Sequence, residues 1–135
     1  MTITVVGMWE KGWLDPSVEH MMLRQLRGAY KFDRLIMIPK LLEGVSKRSC
    51  EQYDTIEEAL ENVEGTKVFL EPNGEHRLSD IPGEDIVYIM GNASRSNERY
   101  VTENDLSVRI DTPGRSDMFA INALAIALDR QVNGS

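Results

Sequence analysis

Cysteine is almost absent. Cys50 stands alone, so no disulfide can form within the chain, which fits a reducing compartment. Long apolar runs are absent too: no stretch approaches the roughly 18–20 apolar residues that a bilayer-spanning helix needs. The opening Met1-Thr2-Ile3-Thr4-Val5-Val6 has neither the basic start nor the apolar length of a secretory signal. The expectation is a cytoplasmic protein with no membrane partner. Positive charge is scarce. Fifteen Lys and Arg against 22 Asp and Glu leave a net charge of −7. That balance opposes a strong non-specific grip on nucleic acid, and on DNA in particular, because such a grip needs cations at the phosphates. A local basic patch remains compatible with it. There is no G-x-G-x-x-G and no P-loop lysine motif. His20 and His76 are far apart with no Cys or His near them at ligand spacing, so no metal site is expected.

What is present is a chain of 135 residues, 41% hydrophobic, enough for one domain over residues 1–135 with its own core. Short apolar runs alternate with helical patterns, which predicts an α/β fold: a mostly parallel sheet of five or six strands flanked by helices. The strands are Ile3–Val6, Leu35–Ile38, Lys67–Leu70, Asp85–Met90 and Leu106–Ile110. Asp15-Pro16 opens a helix, with Asp15 as cap and Pro16 in the first turn. Val18, Met21, Met22, Leu26, Ala29 and Tyr30 recur at helical spacing and predict its buried face. Thr55 to Glu58 has capping-box spacing, with Asp54 and Glu57 as a second register. Glu57, Glu58, Glu61 and Glu64 read as a solvated face. A last helix, from about Asp117 to Gln131, is apolar nearly all round and calls for cover on both sides, plausibly from a second subunit.

In an open parallel sheet, ligands bind beyond the carboxyl ends of the strands. Three such ends carry Gly or Pro: Leu70-Glu71-Pro72, Met90-Gly91-Asn92, and Ile110 followed by Pro113-Gly114. Glycine lets a ligand approach the backbone closely. The same residues also make ordinary strand-to-helix turns. Trp13 is a lid or a buried anchor. Cys50 follows Lys47-Arg48, which could lower its pKa, although a lone cysteine is more often structural.

The carboxyl-terminal third carries a resemblance. Ile86-Val87-Tyr88-Ile89-Met90-Gly91-Asn92 and the polar loop after it resemble the second motif of the SpoU/TrmH branch of the SPOUT RNA methyltransferases. Residues Val108 to Leu128 resemble the third motif, in which a strand leads through a loop into an Ala-rich helix. Asp15-Pro16-Ser17, with Arg24 one helix segment on, resembles the family's amino-terminal helix and its arginine; Arg27 is the other choice. Four signature features differ. Ala93 stands where the family has glutamate, the loop Ser94-Arg95-Ser96-Asn97-Glu98-Arg99 lacks the family's Gly-Leu pair, Asp117-Met118-Phe119 stands where it has Ser-Leu-Asn, and the amino-terminal Asn-x-Gly is missing.

The resemblance implies a SPOUT-like fold with a carboxyl-terminal trefoil knot, a homodimer, S-adenosylmethionine as cofactor, and ribose 2′-O-methylation of tRNA or rRNA. It implies a cofactor site formed by Leu70, Glu71, Pro72, Met90, Gly91, Asn92, Ile110, Pro113, Gly114, Met118 and Phe119. Phe119 would stack over the pocket or belong to the core. Arg24 is the catalytic candidate. Arg95, Arg99 and Arg115 are RNA contacts or plain surface arginines. Two readings compete with an active enzyme: a SPOUT-like binding module that has lost catalysis, and an unrelated flavodoxin-like domain.

Overall fold

The computed structural model of the chain describes residues 1–9, 14–91, 97–114 and 118–134. Among these, seven strands form one sheet: β1 (Ile3–Met8), β2 (Arg34–Ile38), β3 (Glu51–Gln52), β4 (Thr66–Leu70), β5 (His76–Arg77), β6 (Ile86–Ile89) and β7 (Leu106–Arg109). They lie in the order β3-β2-β1-β6-β4-β7-β5, and every pairing is parallel. The five expected strands are all there. The two additional ones, β3 and β5, are edge strands of two residues each, too short to leave an alternating pattern. The stretch from Lys40 to Tyr53, ambiguous in sequence, is a turn-rich loop leading through β3.

Side-chain alternation divides the core between the faces of the sheet. Val5, Leu35, Met37, Val68, Leu70, Tyr88, Met90 and Val108 point to one face. There they meet Leu23 of helix α1 (Pro16–Tyr30) and Leu124 and Leu128 of helix α3 (Ala120–Asn133). Val6, Ile36, Ile38, Phe69, Val87 and Ile89 point to the other, where Ile56 and Ala59 of helix α2 (Ile56–Glu61) cover them. The central strands are therefore buried on both sides and read as continuous apolar runs. Tyr88 fits because its hydroxyl donates to Gln131 Oε1 at 2.6 Å; burial pushes its phenol up to about 12.

The caps follow the sequence. Asp15 accepts from the Ser17 amide at 2.9 Å, and Thr55, not Asp54, caps α2 by accepting from the Glu58 amide. Glu57, Glu58, Glu61 and Glu64 are all exposed, as expected. Gly7 packs closely under α1: a Cβ there would lie 2.8 Å from Met37 Sδ and 3.2 Å from Leu23 Cδ1, side-chain ends that would have to shift. Its absence lets α1 settle onto the sheet.

Two helix readings need correction. Val18 and Met21 are 39% and 52% exposed and Ala29 is exposed. The buried residues of α1 are Glu19, His20 and Leu23, with Met22, Leu26 and Tyr30 half-buried. The apolar stripe is wider than the contact the sheet and α3 provide, so its outer edge faces outward. Helix α3 starts at Ala120 rather than Asp117 and is amphipathic. It buries Ile121, Leu124, Ala127 and Leu128 and exposes Asn122, Asp129, Arg130 and Val132. Two of the large apolar residues that suggest an all-apolar helix, Met118 and Phe119, precede its first turn. The expected knot depends on segments that include residues 92–96 and 115–117, which lie outside the described residues.

After β4 the chain turns through Glu71-Pro72-Asn73-Gly74, closed by the Gly74 amide on the Glu71 carbonyl at 3.1 Å. A Cβ on Gly74 would lie 2.6–2.7 Å from the backbone of Val108 and Arg109, atoms that cannot step aside. Gly74→Ala should therefore cost about 2–3 kcal/mol in urea unfolding, the scale of overpacking. Gly83→Ala, where a Cβ meets nothing within 4 Å, should stay within about 0.5 kcal/mol of wild type.

Candidate active site

Strands β4, β6 and β7 are neighbours, so three of the glycine- or proline-marked ends leave the sheet side by side. The Glu71 amide donates to the Val108 carbonyl at 3.0 Å, and the Met90 amide to the Val6 carbonyl at 2.9 Å. Beyond these last ladder bonds lies a buried polar knot of side chains. Glu71 is 7% exposed and Asn97 2%. Glu71 Oε1 accepts from the Asn97 amide at 2.6 Å. Asn97 Nδ2 donates to the Met90 carbonyl at 3.1 Å and approaches Met8 Sδ at 3.2 Å. The chain that leaves β6 at Gly91 is thus fastened, on its return, to the ends of β4, β6 and β1.

Gly91 completes the cradle. A Cβ there would lie 3.0 Å from the Leu70 carbonyl and 3.9 Å from Glu71 Oε2. Leu70 and Met90 are 4% and 1% exposed, so their side chains belong to the core beneath the site and offer a ligand only their backbone. Ile110 and Met118 are half-buried, while Pro72, Pro113 and Gly114 are exposed. Phe119 is 56% exposed and stands at the start of α3, so it is not a core residue. Asn92, Arg95, Arg115 and Trp13 lie outside the described residues. Asn97 carried no signal in the sequence beyond being one polar residue in a polar loop; its burial appears only once three strand ends converge.

On α1 the two arginine candidates separate. Arg27 donates to the carbonyls of Phe32, Arg48, Ser49 and Asp33, a structural tie between the helix end and two loops. Arg24 is exposed. One turn before it, His20 is buried and its Nε2 has no hydrogen-bond partner; burial, and then the Arg24 charge, lower its pKa. The Arg99 guanidinium lies 4.4 Å from the Tyr100 ring centroid. Cys50 is buried, and burial pushes its thiol up to about 11, which makes it a structural residue. No group of three or more His, Cys, Asp or Glu able to hold a metal occurs among the described residues.

Solved structures share this architecture over nearly the whole chain. A Bacillus anthracis protein assigned as an RNA methyltransferase superposes with a TM-score of 0.73 at 21% identity, covering 97% of this chain and 94% of that one. A structure described for 2′-OH methylation of C/U34 on tRNA gives 0.72 at 19% identity and 99% and 98% coverage. The SpoU methyltransferase AviRb of Streptomyces viridochromogenes, in complex with AdoMet, gives 0.75 at 18% identity; it covers 98% of this chain, which spans 57% of AviRb. The fold is that of the SpoU/TrmH methyltransferases. No protein-family model matches the chain. A D-aminopeptidase of Gluconobacter oxydans is 38% identical over 64 residues, but the match takes in 43% of this chain and only 12% of that protein.

Within this SpoU/TrmH fold, no helix among the described residues is long and apolar enough to cross a membrane. The first turns of α1 differ from an ordinary helix start in burying a carboxyl group: Glu19 is 8% exposed, and burial raises its pKa to about 7. The folded protein therefore holds a proton that the unfolded chain releases above pH about 4.5. Stability from this group is full below that pH and falls as pH rises to about 7, by up to about 3 kcal/mol. His20 acts oppositely, with a loss as pH falls below about 6.5. Urea unfolding from pH 5.5 to 8 should show Glu19→Gln gaining on wild type as pH rises, with the difference levelling off near pH 8.

Proposed function

We propose that the chain is a SpoU/TrmH-type RNA methyltransferase domain that transfers a methyl group from S-adenosylmethionine to a ribose 2′-hydroxyl of tRNA or rRNA. The observation that carries this reading is the convergence of the β4, β6 and β7 ends around Gly91 in a chain that superposes almost end to end on such enzymes. The cradle suits the cofactor. The absence of a Cβ at Gly91 lets its backbone pass close to the Leu70 carbonyl, and the bonds of Asn97 hold that residue against the ends of β4 and β6, beside which an adenosine would lie. Ile110, Met118 and the exposed Phe119 would border it. When bound, the cofactor supplies an electrophilic methyl on a sulfonium centre. Arg24 would orient an RNA phosphate and favour the developing alkoxide through its charge, with Arg95, Arg99 and Arg115 as further phosphate contacts.

The reading extends to a cytoplasmic homodimer and to the trefoil knot implied by the resemblance. Support for dimerisation is the pair Val18 and Met21, exposed on α1 beside its packing partner α3. A binding module without catalysis is the second reading, favoured by Ala93 and Phe119 at positions where the resemblance calls for Glu and Asn.

Calorimetry with S-adenosylmethionine and methyl transfer to bulk tRNA and rRNA separate the two: the enzyme does both, and the module at most binds. Gly91 is not in the left-handed region, but a Cβ there would press on the Leu70 carbonyl, so Gly91→Val should lose about 1–3 kcal/mol in urea unfolding and, where it is still folded, cofactor affinity at least about ten-fold. Unchanged affinity in the folded variant would refute the site. Arg24→Ala should lower kcat more than about a hundred-fold and leave cofactor affinity intact. Met21→Asp should shift sedimentation from dimer to monomer.

A further inference from the structure

The net charge conceals a strong segregation. Residues 24–48 hold seven of the 15 basic residues, Arg24, Arg27, Lys31, Arg34, Lys40, Lys47 and Arg48, and only Asp33 and Glu43 among the 22 acidic ones. Residues 49–85 reverse the balance, with eleven acidic residues against Lys67 and Arg77. The fold converts the first of these segments into a surface. Arg24 and Arg27 are spaced i, i+3 and share one flank of α1, and Lys31 follows as the left-handed cap at the end of the helix. Arg27 Nη1 donates to the carbonyls of Arg48 and Ser49 at 3.2 and 3.1 Å, and its Nε to the Phe32 carbonyl at 3.2 Å. The loop bearing Lys47 and Arg48 is thereby held against that flank. The loop is itself a closed turn: the amides of Ser49 and Cys50 both donate to the Ser46 carbonyl at 3.0 Å. Arg24, Lys31, Lys47 and Arg48 are all exposed.

We propose that this α1 flank and the 46–49 turn form a docking surface for the phosphate backbone of RNA. The proposal rests on the methyltransferase reading and deepens it by saying where the substrate lies. Arg27 is the positioning residue, spending its donors on carbonyls so that its neighbours present theirs outward. Arg24, the catalytic candidate, is the member of this flank nearest the carboxyl ends of the strands, while Lys31 and the 46–49 turn lie by their amino ends. The exposed Val18 and Ala29 fall on the opposite flank of the buried face of α1, while Met21 lies on its outer surface one turn before Arg24. Acidic residues elsewhere repel the backbone and confine it to this surface, which answers the objection that the overall charge raises.

The test is Lys47→Glu/Arg48→Glu in the full chain, with Lys47→Gln/Arg48→Gln as a milder pair. Fluorescence anisotropy with labelled bulk tRNA is measured at several salt concentrations, alongside calorimetry with S-adenosylmethionine. RNA affinity should fall about ten-fold or more, and the slope of log affinity against log salt should shrink by about 1.4–1.8, the value for two lost phosphate contacts. Cofactor affinity should not change. Folded variants with wild-type RNA affinity and slope would overturn the surface and leave the methyltransferase reading standing. Binding of the wild type to anionic vesicles, lost in the variants while RNA binding persists, would assign the patch to a different partner and overturn it as well. A wild type that binds the cofactor but no RNA would overturn both.

Discussion

The position of β6 is the constraint on which the rest of the structure depends. It comes sixth in the chain, yet it is inserted between β1 and β4, with Val5 opposite Tyr88 on one side and Phe69 opposite Ile89 on the other. A strand in that place must be apolar on both faces, and Ile86, Val87, Tyr88 and Ile89 are all fully buried. It must also be left abruptly, because the chain cannot continue straight beyond its neighbours without stranding backbone polar groups. Gly91 and the bonds of Asn97 and Glu71 are how this chain leaves and returns. The same geometry that closes the core therefore brings the β4, β6 and β7 ends together above it, and α1 and α3 lie on the one face that Tyr88 and Met90 share.

Much of this was legible in the residues. Isolated apolar runs of four to six residues, each stopped by Gly, Pro or a polar turn, gave five strands because buried parallel strands have no other way to look. Asp15-Pro16 and Thr55 with Glu58 gave two helix starts because caps are local chemistry. What stayed hidden was non-local. The two-residue strands β3 and β5 exist only through β2 and β7 and have no pattern of their own. The depth of Glu19 and the exposure of Met21 depend on how far α3 reaches across α1, which periodicity cannot tell. Asn97 is buried by two distant strand ends, and nothing in a polar loop announces that.

The convergence of the candidate strand ends was legible in outline. The three strand ends do lie together, because strands β4, β6 and β7 are adjacent. The side chains of Leu70 and Met90 are buried in the core, and the buried polar groups beside these ends are Glu71 and Asn97. The choice between Arg24 and Arg27 was also beyond the sequence. Both are arginines on one flank of one helix, and only the carbonyls of Phe32, Arg48 and Ser49 distinguish the tether from the group left outside.

The brevity of β3 and β5 has a consequence for assembly. A long, flat sheet edge is a template for adding a foreign strand, and proteins avoid it with short or charged edges. Here each edge offers only two residues: Glu51, bound in a fork to Arg34 at 2.7–2.8 Å, and Arg77, paired with Asp111 at 3.3 Å. A seven-stranded parallel sheet is thus closed to lateral growth at both sides. Copies of this chain that meet in solution can do so through helices and loops, and the route to fibrous aggregation by strand exchange is blocked in the native state.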